Sequence, residues 1–528
     1  QLESITQFDF ATNIELGKFF PEKTGVRIPM HFDYSETTIK PEFNPLDPDL
    51  KLDEVIESYE LESDQESLKQ QTTDYTQRKN INFMNVRKDR VGGGQTKPRI
   101  YDIENFDISY SYSEIYHRDV DVEYDIQKTT SGGIGYTFSN NPKKVTPFEK
   151  IGFISNTKAL QLIKDFNFYF LPKMISFRTD MNRVNNERKL RKKSIGDVIT
   201  IPTYFRTWDW NRQYDVKFDL AQSLALNFSA SANSFIDEPS GSLKKTDPDY
   251  EEKKQAILDE IGNFGTMNRY TQNIGATYNI PISKFPLLDW LSAQAGYQVT
   301  YDWTVSPLSV RDTFGNSIQN NQNITINGNA DLTKLYSKVG FLKKILEGKP
   351  DDRSGRRNAD SRRGRKGDEG GDEGGDEDGG QGAAPDSVKK EPGVNYAEVI
   401  GRGMVKILLG LKKLSFQYSQ NNGTLMPGFM PEPTALGNNW NKDAPGLPFI
   451  LGKQPSDPSY FNREGWLSTS SQLNTAFSKQ SSENFNVKAT FEPFKDLKIE
   501  LTADKTASLN NFIGGFVFLV NKNPWEQT

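Results

Sequence analysis

Apolar residues recur at every second position over long stretches of this chain. Between 214 and 220 they alternate with Asp215, Lys217 and Asp219, and the stretch 291–303 continues the same alternation without a break. Because successive side chains of a strand point to opposite faces, each run predicts a strand with one apolar and one polar face. We predict roughly a dozen strands, with further runs at 108–112, 120–126, 134–138, 224–232, 274–280, 324–332, 414–418, 467–477, 485–491 and 497–503.

The strands that this pattern predicts are long. A strand of a soluble protein has about 5–6 residues, whereas a tilted membrane strand needs about 9–11. The run 291–303 exceeds both, and Trp208, Trp290, Trp303 and Phe491 stand near run ends, as in the interfacial girdles of membrane barrels. We therefore predict an all-β fold, the wall of an antiparallel transmembrane β-barrel. A soluble β-sandwich with an aromatic core is the alternative.

The two faces of such a wall have different surroundings. In a wide barrel the polar face lines a water-filled lumen, and the apolar face contacts lipid. The residues predicted to face the lumen are Asp215, Lys217, Asp219, Gln294, Gln298 and Asp302. The residues predicted to face lipid or to form the girdle are Tyr214, Phe218, Leu291, Tyr297, Tyr301 and Trp303.

Connections between the predicted strands have two lengths. Tight ones are expected at 221–223 and 492–496, and long polar ones at 140–155, 181–200, 239–267 and 424–463. Outer-membrane barrels have short turns at one end and long loops at the other, so this difference favours a barrel. Helices are expected at 54–71 and 158–166, and after Pro248 with Ala256, Ile257 and Ile261 as a packed face.

The pattern divides the chain into four regions. Residues 1–100 are expected to be a polar loop or helical segment that leads into the barrel, and 101–346 to be barrel strands with long loops. Residues 347–392 are of low complexity, first Arg-rich and then Asp- and Gly-rich, and predict a disordered loop. The alternative is that this tract attracts calcium or a partner. Residues 393–528 are expected to be further strands with a long loop at 424–463.

Composition narrows the function classes. The chain has 65 Lys and Arg against 70 Asp and Glu, so no net basic surface predicts nucleic-acid binding. Hydrophobic residues are 35% and aromatic residues 12%, which fits strands with a single apolar face. The absence of cysteine excludes disulfides and thiolate metal sites. No apolar run approaches the length of a transmembrane helix.

Motifs for catalysis are missing from the sequence. The two histidines, His31 and His117, are far apart, which argues against a multi-histidine metal site. Residues 92–97 lack the spacing of a phosphate-binding loop, and no nucleophile elbow is present. We therefore expect no catalytic residue, no metal and no cofactor, and we do not expect an enzyme.

Several motifs resemble the C-terminal half of the SprA (Sov) family. They are FNFYFLPK at 166–173, RTDMNR at 178–183, DWNRQYD at 209–215, FPLLDW at 285–290, YDW at 301–303, and the stretch 418–433 with its NGT and PGFMP. This family contains the outer-membrane translocon of type IX secretion and gliding motility in Bacteroidetes. The likeness covers 166–433, and the flanks fit more loosely.

The resemblance carries expectations about location and partners. It implies a single-chain barrel in the outer-membrane lipid with about 36 strands, whose lumen passes folded cargo bearing a C-terminal sorting domain. It also implies a shuttle barrel and a periplasmic plug protein as partners. On this basis we expect the chain to be an arc of the wall that does not fold alone, because an unclosed arc exposes strand edges and an apolar face.

Two other functions remain open at this point. A different large barrel, such as a porin or nutrient receptor, would predict a plug domain or a terminal closing aromatic residue. A secreted β-rich adhesin or glycan binder would stay in solution without detergent and bury its apolar faces between two sheets.

Overall fold

The fold is that of one large antiparallel sheet. The computed structural model describes residues 2–91, 98–153, 160–192, 200–285, 287–347, 401, 403–405, 407–455, 458–470, 472–473, 475–494 and 497–513. Its strands are β1 (Glu3–Glu15), β2 (Val26–Arg27), β3 (Pro29–Pro41), β4 (Phe43–Asn44), β5 (Asp47–Lys51), β6 (Asp74–Lys88), β7 (Phe106–Arg118), β8 (Val122–Ser139), β9 (Met174–Leu190), β10 (Thr203–Ala221), β11 (Leu224–Phe235), β12 (Thr266–Ile280), β13 (Leu291–Thr304), β14 (Asn316–Asp331), β15 (Leu411–Phe429), β16 (Phe477–Phe494) and β17 (Leu497–Ile513). Strands β10 and β15 have 19 residues each, nearly twice the length that a tilted membrane strand needs, about 9–11.

The strands pair in chain order. The sheet has 15 strands in the order β1-β3-β6-β7 and onward to β17, with β2 beside β6, and β4 and β5 form a separate pair. Each neighbouring pair is antiparallel. The predicted antiparallel β-sheet is confirmed, and the barrel stays a prediction. Within the part of the chain described, the sheet has β1 and β17 at its edges and is not closed.

Long and short connections occur at both ends of the sheet. The hairpin end is the one where β10 turns into β11 at Gln222–Ser223, and the long connection 140–173 between β8 and β9 lies there too. The opposite end, called the cover end, has the long connections 236–265 and 430–476, but also the short 119–121. The expected separation of short turns from long loops is therefore wrong.

Two of the predicted long loops begin inside strands, because charged or polar strand ends resemble loops in the sequence. The predicted loop 181–200 begins inside β9, and 424–463 begins inside β15. In β9 the charged side chains are paired across the sheet or with a connection, as Glu187 is with the hydroxyl of Tyr124 at 2.8 Å and with Lys244 at 3.0 Å. Residues 1–100 likewise contain the strands β1, β3 and β6, where we expected a polar loop or helices.

Helices are short and lie in the connections. Those described include Leu16–Phe19, Glu22–Thr24, Leu52–Glu57, Glu62–Thr72, Ile103–Asn105, Gln161–Lys164, Tyr250–Gly262, Ile282–Lys284, Leu308–Phe314, Leu332–Lys338, Gly340–Glu347, Leu447–Ile450 and Ser459–Arg463. The helix expected after Pro248 is present, but it buries no residue, so the predicted packed face is wrong. In the described ranges, no helix combines the length and apolar content that crossing a membrane requires. The low-complexity tract 347–392 and the glycine-rich loop 92–97 lie outside the described residues, except for Glu347.

The main hydrophobic core lies at the cover end. Residues 430–467, called the cover segment, fold over one face of β11–β15. The strands contribute Tyr301, Trp303, Ile318 and Met426, and the segment contributes Phe449, Ile450, Phe461 and Trp466. Among the described residues, this core covers one face of β11–β15 at the cover end, which positions the two surfaces described next.

Candidate functional site

The structure places the six residues predicted to face a lumen on one face of the sheet. Asp215 pairs with Ser229, Ser229 with Asn273, and Asn273 with Thr300. The same cross-strand path links Lys217 to Gln298 through Asn227 and Gly275. On β10, Asp219 is an even number of residues from Asp215, so both side chains point to the same face. The same holds on β13 for Gln294 and Asp302 relative to Gln298. We call this surface the polar face.

Three rows of the polar face, spanning β11–β17, contain no charged and no aromatic residue. The middle row is Asn227, Gly275, Gln298, Asn323, Asn421, Ser482 and Ser508. The rows on either side run from Ser229 to Asn510 and from Ala225 to Thr506, with only Ser, Thr, Asn, Gln, Gly and Ala. We call these three rows the neutral panel. Gly275 and Gly296 carry no side chain, and a shallow groove of about 410 Å³ opens over them.

The six residues predicted to face lipid share the opposite face. Tyr214 is 37% exposed, and Phe218 and Leu291 are half-buried. Tyr301 and Trp303 instead lie under the cover segment with no exposed surface, and the Tyr297 hydroxyl donates to the carbonyl oxygen of Leu451. Alternation indicates which face is apolar, and it does not distinguish lipid from a covering protein segment.

Polar side chains of the sheet attach the cover segment. Asn320 is fully buried, and its Nδ2 donates to the carbonyl oxygens of Phe449 at 2.9 Å and Lys453 at 3.2 Å. Its Oδ1 accepts from Nε2 of Gln454 at 3.0 Å. The Trp303 Nε1 donates to the carbonyl oxygen of Pro431 at 3.2 Å. Asn320 was not predicted from the sequence. It is a polar residue at a position where the alternation of Ile318 and Ile324 predicts an apolar one, and this could have identified it.

Aromatic contacts complete this interface. Phe449 packs edge-on against Tyr301 and Phe461, with ring centroids 6.2 and 5.5 Å apart, and Phe461 lies 5.7 Å from Trp466. Edge-to-face pairs of this kind stabilise by about 0.5–1.5 kcal/mol beyond the area that they bury. The cover segment is thus packed firmly onto the sheet.

Arginines stack on the tryptophans of β10 on this same face. The Arg212 guanidinium lies 5.0 Å from the Trp210 ring and 5.3 Å from the Phe264 ring, and its Nη2 donates to Ser234 Oγ at 2.6 Å. Among the described residues, no carboxylate pairs with Arg212, which is 8% exposed. Arg183 differs, because it binds Glu238 through two hydrogen bonds of 2.7 Å.

The two histidines take part in local polar contacts. His31 Nε2 lies 3.1 Å from Asp33, and His117 Nε2 lies 3.2 Å from Asp119. In the ranges that the structure describes, no group of three or more His, Cys, Asp or Glu residues is arranged to hold a metal ion. The notable surfaces here are therefore the two faces and the cover segment.

Comparison with known proteins adds a family. Residues 1–56, which include β1, β3 and the small β4–β5 pair, match the SprA_N family model, described as a motility related/secretion protein. These residues lie outside 166–433, where the sequence motifs resemble the same family. No curated protein matches the chain. A motility and secretion family points to the cell envelope. The chain is thus related to the SprA family of motility and secretion proteins.

Proposed function

We propose that this chain forms an arc of an outer-membrane β-barrel that conducts folded proteins out of the cell, as part of type IX secretion and gliding motility. The observation that carries the barrel is the position at which polar residues first interrupt the apolar face, counted from the hairpin end. The residues just before this interruption are Tyr214, Ile274, Ile324, Tyr418 and Ala503, on β10, β12, β14, β15 and β17. On β11 and β13 the apolar residues continue to Ala232 and Trp303, which belong to the core at the cover end.

Each of these residues lies closer to the hairpin end than the one before. Across the sheet, Tyr214 is level with Gln272 on β12. Ile274 is therefore two residues closer to the hairpin end than the level of Tyr214. Ile324 is level with Gln420 on β15, so Tyr418 is again two residues closer to the hairpin end. A flat membrane boundary crosses tilted strands at steadily shifted positions, which is the geometry of a barrel wall.

The cover segment fits the same placement. It packs on the cover-end side of this boundary, over Tyr301 and Asn320. On the other side, large apolar residues of the same face stay uncovered, among them Phe416, Phe485 and Leu501, which are 40%, 43% and 56% exposed. A contiguous apolar surface of this kind is suited to lipid, and the cover segment would then lie outside the hydrocarbon.

The finer assignments rest on family resemblance. The cargo would be folded proteins with a C-terminal sorting domain, and the partners would be a shuttle barrel and a periplasmic plug protein. The polar face would line the lumen. Transport energy would come from partners, because the sequence carries no nucleotide-binding motif.

The test is deletion of the gene in the bacterium that carries it. We expect loss of sorting-domain proteins from the culture medium, loss of gliding, and recovery of the wild-type protein in the outer-membrane fraction. An unchanged secretome would overturn the translocation function and favour a porin or nutrient receptor. Recovery of the wild-type protein without detergent would overturn the barrel itself and favour an adhesin.

A further inference from the structure

The neutral panel is unusual for this chain. Charged residues make up 26% of the sequence, and none occurs in the three rows of the panel on β11–β17. The same face carries charges on the neighbouring strands, with Arg178 and Asp180 on β9 and Asp215 and Lys217 on β10. Neutrality is therefore a property of this panel and not of the polar face as a whole.

The charges that border the panel are of both signs. At its cover-end side, Asp302 of β13 pairs with Arg269 of β12 at 3.1 Å and accepts a hydrogen bond from Thr271 at 2.6 Å. A paired carboxylate projects little field beyond the pair. At its hairpin-end side, Asp504 of β17 accepts a hydrogen bond from Asn486, and on β10 the rows continue to Asp215 and Lys217. The panel thus presents hydrated amides and hydroxyls with no dominant sign of charge.

Two pairs of panel side chains are hydrogen-bonded across strands. Thr300 Oγ1 donates to Asn273 Oδ1 at 2.7 Å, and Asn323 Nδ2 donates to Asn421 Oδ1. Groups engaged in this way are not preorganised to hold a ligand. The panel also has no aromatic ring on which a sugar could stack, which argues against a glycan site.

We propose that folded cargo slides along the neutral panel, and that the panel makes export independent of the net charge of the cargo. This inference rests on the channel function proposed above. A wall with one sign of charge retains cargo of the opposite sign and repels cargo of the same sign. A wall of neutral amides and hydroxyls does neither, so one pore serves proteins of any charge.

The experiment compares two cargoes in the native host with the complete protein. One folded reporter with a sorting domain is made in a strongly acidic and a strongly basic version. The wild-type wall should export both at rates within about twofold. Replacing one row with acids, Asn323→Asp, Asn421→Asp and Ser482→Asp, should change the ratio of the two rates by at least about threefold. The matching lysine row should change it in the opposite direction.

Three controls define the outcome. A neutral row, Asn323→Gln, Asn421→Gln and Ser482→Asn, should leave the ratio unchanged, and immunoblots of outer membranes should show equal amounts of each variant. If a charged row does not assemble, the single changes Gln298→Glu and Gln298→Lys at an exposed position replace it. Gene deletion should abolish export of both reporters.

Two results would overturn the inference while leaving the channel intact. One is a wild-type wall that already separates the reporters by more than about threefold. The other is a charged row that assembles and leaves the ratio unchanged. Continued export of both reporters after gene deletion would instead overturn the proposed function. Binding of glycans to the panel by the purified protein, lost in the charged rows, would also contradict the inference.

Discussion

Asn320 of β14 donates a hydrogen bond from Nδ2 to the carbonyl oxygen of Phe449, 2.9 Å away, and joins the sheet to the cover segment. Because Asn320 also serves Lys453 and Gln454, one side chain satisfies three groups of the segment. The segment covers only the part of the apolar face that lies toward the cover end. The apolar face of the sheet therefore has a covered part and an uncovered part on the same strands.

Asn320→Leu should loosen the cover segment. The change removes the hydrogen bonds of Asn320 to the carbonyl oxygens of Phe449 and Lys453 and to Gln454. Phe449 and Gln454 keep hydrogen bonds to Gly452, so we expect a total loss of about 1–3 kcal/mol. Limited proteolysis of the membrane-embedded protein should cut within 430–467 faster. Asn323→Leu, on the same strand but on the polar face, serves as the control. Equal cutting in both variants would show that Asn320 does not hold the segment.

Trp466→Ala should release the segment more strongly. Trp466 is 5% exposed and packs on Phe429, Tyr460 and Phe461, and removal of a buried tryptophan costs about 3–5 kcal/mol. Hydrogen exchange of backbone amides in 430–467 should rise. Trp440→Ala is the matched control, because Trp440 is 51% exposed in the same segment. A similar rise in both variants would contradict the packing described.

The two stacked arginines should respond differently to methionine. Arg183→Met leaves Glu238, whose side chain is 4% exposed, without its partner, which should lower the free energy of unfolding by about 1–3 kcal/mol. Arg212→Met removes a buried charge that has no carboxylate partner, so the change should stay within about 1 kcal/mol. Urea unfolding of the complete protein in lipid vesicles measures both. A larger loss for Arg212→Met would reveal an anionic partner.

Charges on the two faces should have unequal costs. Phe416→Lys places a cation on the uncovered apolar face, and in the hydrocarbon this costs about 2–4 kcal/mol. Gln417→Lys, one residue later, points to the polar face and should be tolerated. The amount of each variant that assembles in the outer membrane measures the difference. Equal assembly would indicate that Phe416 does not contact lipid.

Period-two alternation predicted much of β10–β13 and the parity of Asp215 and Tyr214. It did not predict β1, β3 and β6, because polar residues such as Glu36 and Lys79 interrupt their apolar parity and resemble a loop. Nor did it predict that Tyr301 would be covered. A strand pattern depends on local spacing, whereas the cover segment reaches β13 and β14 from more than a hundred residues away in sequence.

The account rests on a wall with one face in lipid and the other in water. The chain has no cysteine, so Ile326→Cys or Asn323→Cys gives it a single site for a spin label. The label is studied in the complete protein in lipid vesicles, with any cysteine outside this chain replaced by serine. The label at Ile326 should collide mainly with oxygen, which concentrates in lipid, and the label at Asn323 mainly with a water-soluble nickel complex. Preferential collision of both labels with the nickel complex would contradict a membrane-spanning wall.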